Sequence, residues 1–217
     1  IVLTSCMPQA FPETAESLTE ADVVLGNSNR ASLLPDILAY LSSHHRIVDI
    51  APHQNGEKFE AMAVTEFHER TRAFVKIEDG CNRFCSYCII PYARGRVRSK
   101  PLDEIQAEIA AIGSQGYREV VLTGIHLSSY GVDFPEENKE SLLSLIQAVH
   151  EISGISRIPR GSLEPRIVTE DFVAAIAALP KVCPHFHLSL QSGCSRTLLR
   201  MNRKYTAQEY ARCCGLL

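Results

Sequence analysis

From residue 71 onward the chain repeats one pattern four times: a short apolar run, then a stretch with helical periodicity. The runs are "RAFVKIED", "EVVLTGI" at 119–125, "ISRIPRGSLEP" at 155–165 and "HFHLSLQSG" at 185–193. Between and after them stand "PLDEIQAEIAAIGSQG", "SLLSLIQAVHEI", "TEDFVAAIAALP" and "TAQEYARCC". The first helix has apolar positions at 102, 105, 109 and 112 and a stop at Gly116; the third has a Thr169 cap and acidic residues in its first turn. "EVVLTGI" is apolar almost throughout, as strands buried on both faces of a parallel sheet are. Pro159 suits the third run to an edge or a bulge. Consecutive β-then-α units require right-handed crossovers onto a parallel sheet, either an open wound sheet or part of a barrel. In both, chemistry collects at the carboxyl ends of the strands, where Cys81, Gly124, Glu164 and Ser192 fall.

The first fifty residues also alternate, with apolar runs at 1–4, 22–26 and 46–50 and a helical pattern at 29–43, and read as the remnant of a separate α/β domain. Residues 51–70 are polar and aperiodic, which predicts a linker, so the expected division is 1–50, 51–70 and 71–217. The chain opens inside an apolar run without a cap and ends inside an amphipathic helix, as a fragment open at both ends does. A formal net charge of −3 gives no global sign of a polyanion partner. No run of eighteen apolar residues and no charged leader is present, which makes a cytoplasmic protein without a membrane partner the expectation. There, eight cysteines in 217 residues are expected to be mostly reduced, the clustered ones ligands and the scattered ones core or surface thiols.

Cys81, Cys85 and Cys88 are clustered, with three and then two residues between them. Four thiolates close a tetrahedral zinc site; three close neither that nor an even set of disulfides. A cubane 4Fe-4S cluster takes four thiolates, so three leave one iron with an open position, a place to bind and reduce something. The bland alternative is a zinc knuckle completed by His68 or another residue.

The cysteine pattern, with Tyr87 just before the third ligand, resembles the radical S-adenosylmethionine superfamily. In that superfamily the open iron is chelated by the methionine moiety of the cofactor, and one-electron reduction yields a 5'-deoxyadenosyl radical. A closer resemblance spans nearly the whole chain. "TSCMPQAFPE" and "VVLGNSNR" resemble the end of the N-terminal domain of the methylthiotransferases; "CNRFCSYCIIPYARGRVRSKP", "VVLTGIHLSSYG", "GSLEP", "HFHLSLQSG" and "RMNRKYT" resemble their radical domain. The fold implied is a partial (β/α) barrel, truncated at its C-terminal end and preceded by the tail of an α/β domain. Within that group "IPYARGRVRS", "LTGIHLSSYG" and "PHFHLSLQSG" resemble the branch that modifies N6-threonylcarbamoyladenosine beside the tRNA anticodon.

The resemblance implies two 4Fe-4S clusters in the full-length protein, with S-adenosyl-L-methionine as co-substrate. Cys81, Cys85 and Cys88 would hold the radical cluster, and Cys6 would be one of three ligands of an auxiliary, sulfur-donating cluster whose other ligands lie upstream. One cofactor molecule methylates the sulfur and a second makes the radical that removes hydrogen from carbon two of the adenine. That carbon-hydrogen bond has no acidic proton or leaving group, so no acid-base dyad is needed. Implied partners are the tRNA anticodon loop and an electron donor such as flavodoxin or ferredoxin. Other targets with the same chemistry are isopentenyladenosine and an aspartate of a ribosomal protein; a reading of another class is a non-catalytic Fe-S or zinc module that binds RNA.

Cofactor contacts are expected from Tyr87, Thr123, Gly124, Ser162, Glu164 and Gln191, residues at or near the cysteine loop and the strand ends. Each has an ordinary alternative: Tyr87 as a packing aromatic, Gly124 as a plain turn rather than a point of close backbone approach to a ligand. His126 is either a hydrogen-bonding group near the cofactor or has no specific role, and His185 and His187 are core histidines or stacking platforms. Arg94, Arg96 and Arg98, with Lys100, form a basic stretch expected to contact RNA phosphates; Arg196, Arg200, Arg203 and Lys204 form another.

Overall fold

The computed structural model describes residues 1–60 and 71–217; ten residues of the expected linker, His68 among them, lie outside the described residues. The chain divides into two compact units, residues 1–57 with 80–96 and residues 58–79 with 97–217.

The first unit is built on a parallel sheet of three short strands, β1 (Val2–Thr4), β2 (Val23–Leu25) and β3 (Ile47–Asp49), in that order. Val2 faces Val23, which in turn faces Ile47. As the central strand, β2 is buried throughout, as an unbroken Val-Val-Leu run requires. Helices α1 (Cys6–Ala10) and α2 (Pro12–Ser17) follow β1, the latter opening on a proline whose missing N–H would have had no helical partner. Helix α3 (Leu33–Ser43) precedes β3 and leaves Leu34, Leu38 and Leu41 more than half exposed. The small core consists of Ala15, Ala21 and Val24, with Leu3 and Ile50 against it. A further short helix, Ile90–Ala93, belongs to this unit and is numbered α4 below; no periodic signal in the sequence announces it.

The second unit carries the β-then-α repeat. Strand β4 (Ala73–Lys76) is followed by a short β5 (Glu78–Asp79), which pairs antiparallel with β6 (Arg98–Ser99). After these come α5 (Leu102–Ser114), β7 (Val120–Thr123), α6 (Leu142–His150) and α7 (Glu170–Ala177). Last are α8 (Ser195–Arg200) and α9 (Ala207–Leu216). Strands β4 and β7 pair in parallel from Ala73 opposite Val120 to Lys76 opposite Thr123. The next two expected strands continue the parallel order, but only through single bridges, Leu122 with Arg160 and Leu163 with Leu188. Pro159 contributes a carbonyl, which accepts from Leu122 N–H at 3.0 Å, and has no N–H to return. That breaks a regular ladder while keeping the segment in place.

Helices α5 and α6 pack on the sheet through the apolar positions their period predicts: Ile105, Ile109 and Ile112 from one, Leu142, Leu145, Ile146 and Val149 from the other, all buried. They meet Val75, Ile77, Val120, Leu122, Ile158 and Leu163 in one core. The expected Thr169 cap is present, its Oγ1 accepting from Phe172 N–H at 3.1 Å. Helix α9 begins with a reciprocal capping box between Thr206 and Glu209 and runs past the Cys213-Cys214 pair; Cys213 is buried, with its thiol donating to Pro165 O, and Cys214 is exposed. Among the described residues no helix is long and apolar enough to cross a membrane.

One backbone position is out of register with its residue type. Ser5, between β1 and Cys6, has φ 88° and ψ −143°, a conformation that residues other than glycine adopt only under strain. Ser5→Gly is therefore expected to stabilise the protein by about 1 kcal/mol, relief of strain exceeding the added freedom of the unfolded chain. A urea midpoint at or below that of the parent would contradict this.

Candidate functional site

The cysteine loop starts at a position only glycine can fill. Gly80 has φ +81°, and a Cβ there would stand 2.6 Å from the carbonyl carbon of Arg96. The close approach lets Cys81 N–H donate to Gly95 O at 3.1 Å, tying the first cysteine to the residues that follow the loop. Phe84 sits in the left-handed region at φ 48°, and Cys88 N–H closes a tight turn onto Cys85 O at 3.0 Å. Cys81 is buried, Cys85 and Cys88 half-buried, and all three thiols are free of disulfides. As the side chains stand, no three metal-ligating groups converge among the described residues. The donor set nevertheless fits an iron-sulfur cluster: three soft sulfur ligands on one eight-residue loop. Tyr87 is 53% exposed, and Arg96 lies over the Phe84 ring, 4.8 Å from its centroid.

Cys6, in the same unit, is set into a hydrogen-bonding pocket. Its sulfur accepts from Arg94 Nε–H at 3.2 Å and from Asn27 Nδ2 at 3.5 Å. Burial opposes ionisation of this thiol, but the bond from Arg94 and then that from Asn27 outweigh it and hold its pKa below the usual thiol value. Asn27 is buried and also donates to Ala93 O at 2.7 Å, while its own N–H donates to Gln9 Oε1 at 2.6 Å. "GNSNR" thus contains a side chain that positions Cys6, which the spacing of residues did not reveal. Arg94, expected at an RNA surface, faces this sulfur.

In the second unit the ends of β4–β5 and β7 come together around a carboxylate. Glu78 is fully buried, and its Oε1 accepts from the backbone N–H of His126, whereas its Oε2 has no hydrogen-bond partner among the described residues. A Cβ on Gly124 would stand 2.9 Å from Glu78 Cδ and Cγ. The close approach that a glycine at this strand end permits is therefore to Glu78. Burial pushes the Glu78 carboxyl up to about 7, against the lowering effect of the His126 N–H and reinforced by Asp79.

His126 links this turn to the next strand end. Its Nδ1 lies 2.6 Å from Ser129 Oγ and its Nε2 3.5 Å from Glu164 Oε2. Glu164 is buried; its N–H donates to Ser128 Oγ at 2.8 Å, and Arg203 lies 4.0 Å from its Oε1. Ser162 Oγ and His187 Nδ1 are 2.5 Å apart, a pairing that gives His187 a definite contact; His185 is exposed. Thr123, the last residue of β7, accepts from Ile77 N–H through its carbonyl. Gln191 is exposed with φ 67°. The structure thus gathers Gly124, His126 and Glu164 with Glu78, a residue the sequence did not single out. Arg98 and Lys100 are buried, Arg98 3.8 Å from Asp79 and Lys100 bonded to Glu108.

The radical SAM superfamily model matches residues 75–217. A threonylcarbamoyladenosine tRNA methylthiotransferase MtaB of Chlamydia pneumoniae is 39% identical over 98% of this chain and 46% of its own length. A tRNA-2-methylthio-N(6)-dimethylallyladenosine synthase of Pelotomaculum thermopropionicum is 38% identical over 97% of this chain and 47% of its own. The chain spans about half the length of such curated relatives. Among solved structures, the cobalamin-dependent S-adenosylmethionine radical enzyme OxsB superposes over 100% of this chain and 34% of its own, with TM-score 0.66 and 12% identity. At that identity the likeness concerns fold alone.

Glu78 yields a test. Unfolded, it ionises near its ordinary 4.5; folded, at about 7. Between those values the folded state keeps a proton that the unfolded state has released, so the contribution of Glu78 to stability falls as pH rises from 4.5 to 7. The loss amounts to about 3 kcal/mol and is complete above the folded pKa. Glu78→Gln retains the acceptor and cannot ionise. It is expected to remove this part of the pH dependence, measured as urea unfolding at about pH 5 and about pH 8; an unchanged slope would refute the assignment.

Proposed function

The chain belongs to the radical SAM superfamily, and on that premise we propose that the protein is a tRNA methylthiotransferase that converts N6-threonylcarbamoyladenosine beside the anticodon to its 2-methylthio derivative. The observation that carries this reading is the likeness to the MtaB relatives, 35–39% identical over nearly the whole of this chain, the cysteine loop included. Similarity to the dimethylallyladenosine synthases is almost as high, which favours dimethylallyladenosine in tRNA as the second substrate reading.

Cys81, Cys85 and Cys88 would hold a 4Fe-4S cluster, which when bound would supply the electron for cleaving S-adenosyl-L-methionine, with a flavodoxin or ferredoxin as the source. The chain's own part is to hold and orient. Gly80 fixes the entry of the loop so that three sulfurs issue from one turn. Cys6, held by Arg94 and Asn27, serves as one ligand of a second cluster. Tyr87, Thr123, Gly124, Ser162, Glu164 and Gln191 are assigned to the cofactor, Glu164 through a carboxylate that faces His126 and on a backbone whose N–H donates to Ser128 Oγ. With no acidic proton on adenine carbon two, the site needs no general base, and none is assigned. The proposed location is the cytoplasm, a reading supported by the tRNA-modifying relatives.

Replacing Cys81, Cys85 or Cys88 with alanine is expected to abolish formation of 5'-deoxyadenosine by the reconstituted, oxygen-free protein. Cys183→Ala, at a buried thiol, leaves it intact. Cofactor cleavage retained in Cys85→Ala would refute the ligand assignment. The substrate is read by mass spectrometry of tRNA nucleosides from a deletion strain: loss of 2-methylthio-threonylcarbamoyladenosine is expected, and loss of the dimethylallyl counterpart instead would select the second reading.

A further inference from the structure

Two basic stretches flank the sites described, and the structure treats them differently. In the first, Arg94 is turned to Cys6, Arg96 covers Phe84, and Arg98 and Lys100 are buried against Asp79 and Glu108. The second lies on α8 and the turn before α9, beside an open pocket of about 430 Å³. Arg196, Arg203 and Lys204 line it together with Leu199 and Glu209.

We propose that this pocket is a seat for the phosphate backbone of the RNA substrate, an inference that rests on the tRNA reading above. Arg203 is turned inward, its guanidinium 4.0 Å from Glu164, and two exposed cations, Arg196 and Lys204, face one carboxylate, Glu209, across the pocket. That carboxylate is already engaged, since Glu209 Oε2 accepts from Thr206 N–H at 2.6 Å and from Thr206 Oγ1 at 3.0 Å. The pocket therefore presents a net positive charge on a chain whose formal total is −3. The turn sets its cations in place: Lys204 Nζ donates to Asn202 Oδ1 at 2.5 Å, with Asn202 in the left-handed region at φ 58°. Arg203 Nε donates to Tyr205 Oη at 3.2 Å and its guanidinium lies 5.0 Å from the Tyr205 ring centre, while the buried Tyr205 hydroxyl is anchored on Leu190 O. Arg196 is exposed on α8. A guanidinium fork takes phosphate oxygens in pairs and an ammonium takes them singly, so exposed cations on a helix and on the turn after it suit a strand of consecutive phosphates better than one small anion. Leu199, 76% exposed at the pocket wall, gives an apolar surface for a ribose or base between phosphates.

The test uses the full-length protein and its substrate tRNA, with binding followed by fluorescence anisotropy at several salt concentrations. Each lost phosphate contact removes about 0.7 to 0.9 from the slope of log affinity against log salt. Arg196→Ala with Lys204→Ala is expected to weaken binding about tenfold at physiological salt and to flatten the slope by about 1.5, with the unfolding midpoint unchanged. Arg196→Lys, which keeps the charge, is expected to retain the slope. Parent protein that binds tRNA and a double variant that binds as tightly with the same slope would overturn the pocket and leave the tRNA reading standing. Parent protein that binds no tRNA would overturn both. Equal loss of affinity for a polyglutamate peptide would show a general anion site and overturn the RNA assignment.

Discussion

The parallel pairing of β4 with β7 is the constraint on which the second unit depends. Putting Lys76 opposite Thr123 brings the carboxyl ends of two strands side by side, and everything beyond them must fit into that one place. Glu78 and Gly124 are the first residues to arrive, and a buried carboxylate next to a backbone turn leaves no room for a side chain on the partner. Burial there raises the cost of charge, and the backbone N–H of His126, with lesser help from Lys76 and the Ile125 N–H, offsets part of it. The result is a turn whose path is set by hydrogen bonding and exclusion rather than by the local preferences of Thr-Gly-Ile-His. His126 carries that order on to Glu164 and hence to the third strand position.

How much of this could be read beforehand follows the range of the interactions. Features that depend on neighbours three or four residues away were visible: the apolar stripe of α5, the Thr169 cap, and the cysteine spacing. Alternation of β and α also fixed the parallel order, because crossover geometry leaves few choices. Strand regularity was less legible. Residues 155–165 look like a strand and hold a strand's position, yet Pro159 and the bends after it reduce the contact to bridges. Apolar content gives the place of such a segment in the sheet; the supply of N–H groups decides whether it forms a ladder.

Contacts across long sequence separations were not legible at all. Arg94 and Cys6 are 88 positions apart, and Glu78 and His126 are 48 apart. Nothing local marks Arg94 as the partner of a sulfur, since it stands in a run of basic residues and shares their composition. The glycine at 124 signalled a close approach to a ligand, and the atoms that come close to it are those of Glu78. In both cases the residue type states what an atom can do, and only the fold states to whom.

The basic residues carry this argument to the surface. Counting cations in a stretch measures neither field nor availability: Arg98 and Lys100, buried with carboxylates, are part of the interior bonding of the second unit. Arg160 goes further, with its guanidinium 4.1 Å from the Phe186 ring centre and burial pulling its pKa down to about 10. Desolvation is the common cause: a cation withdrawn from water is held by its partners and offers little to a phosphate outside. Arg196 and Lys204, exposed at a pocket wall, keep their charge where a counterion can be displaced. For a protein of slight negative net charge, a polyanion partner is compatible with composition only if the few outward cations are grouped, and in the second unit that grouping is found where α8 turns into α9.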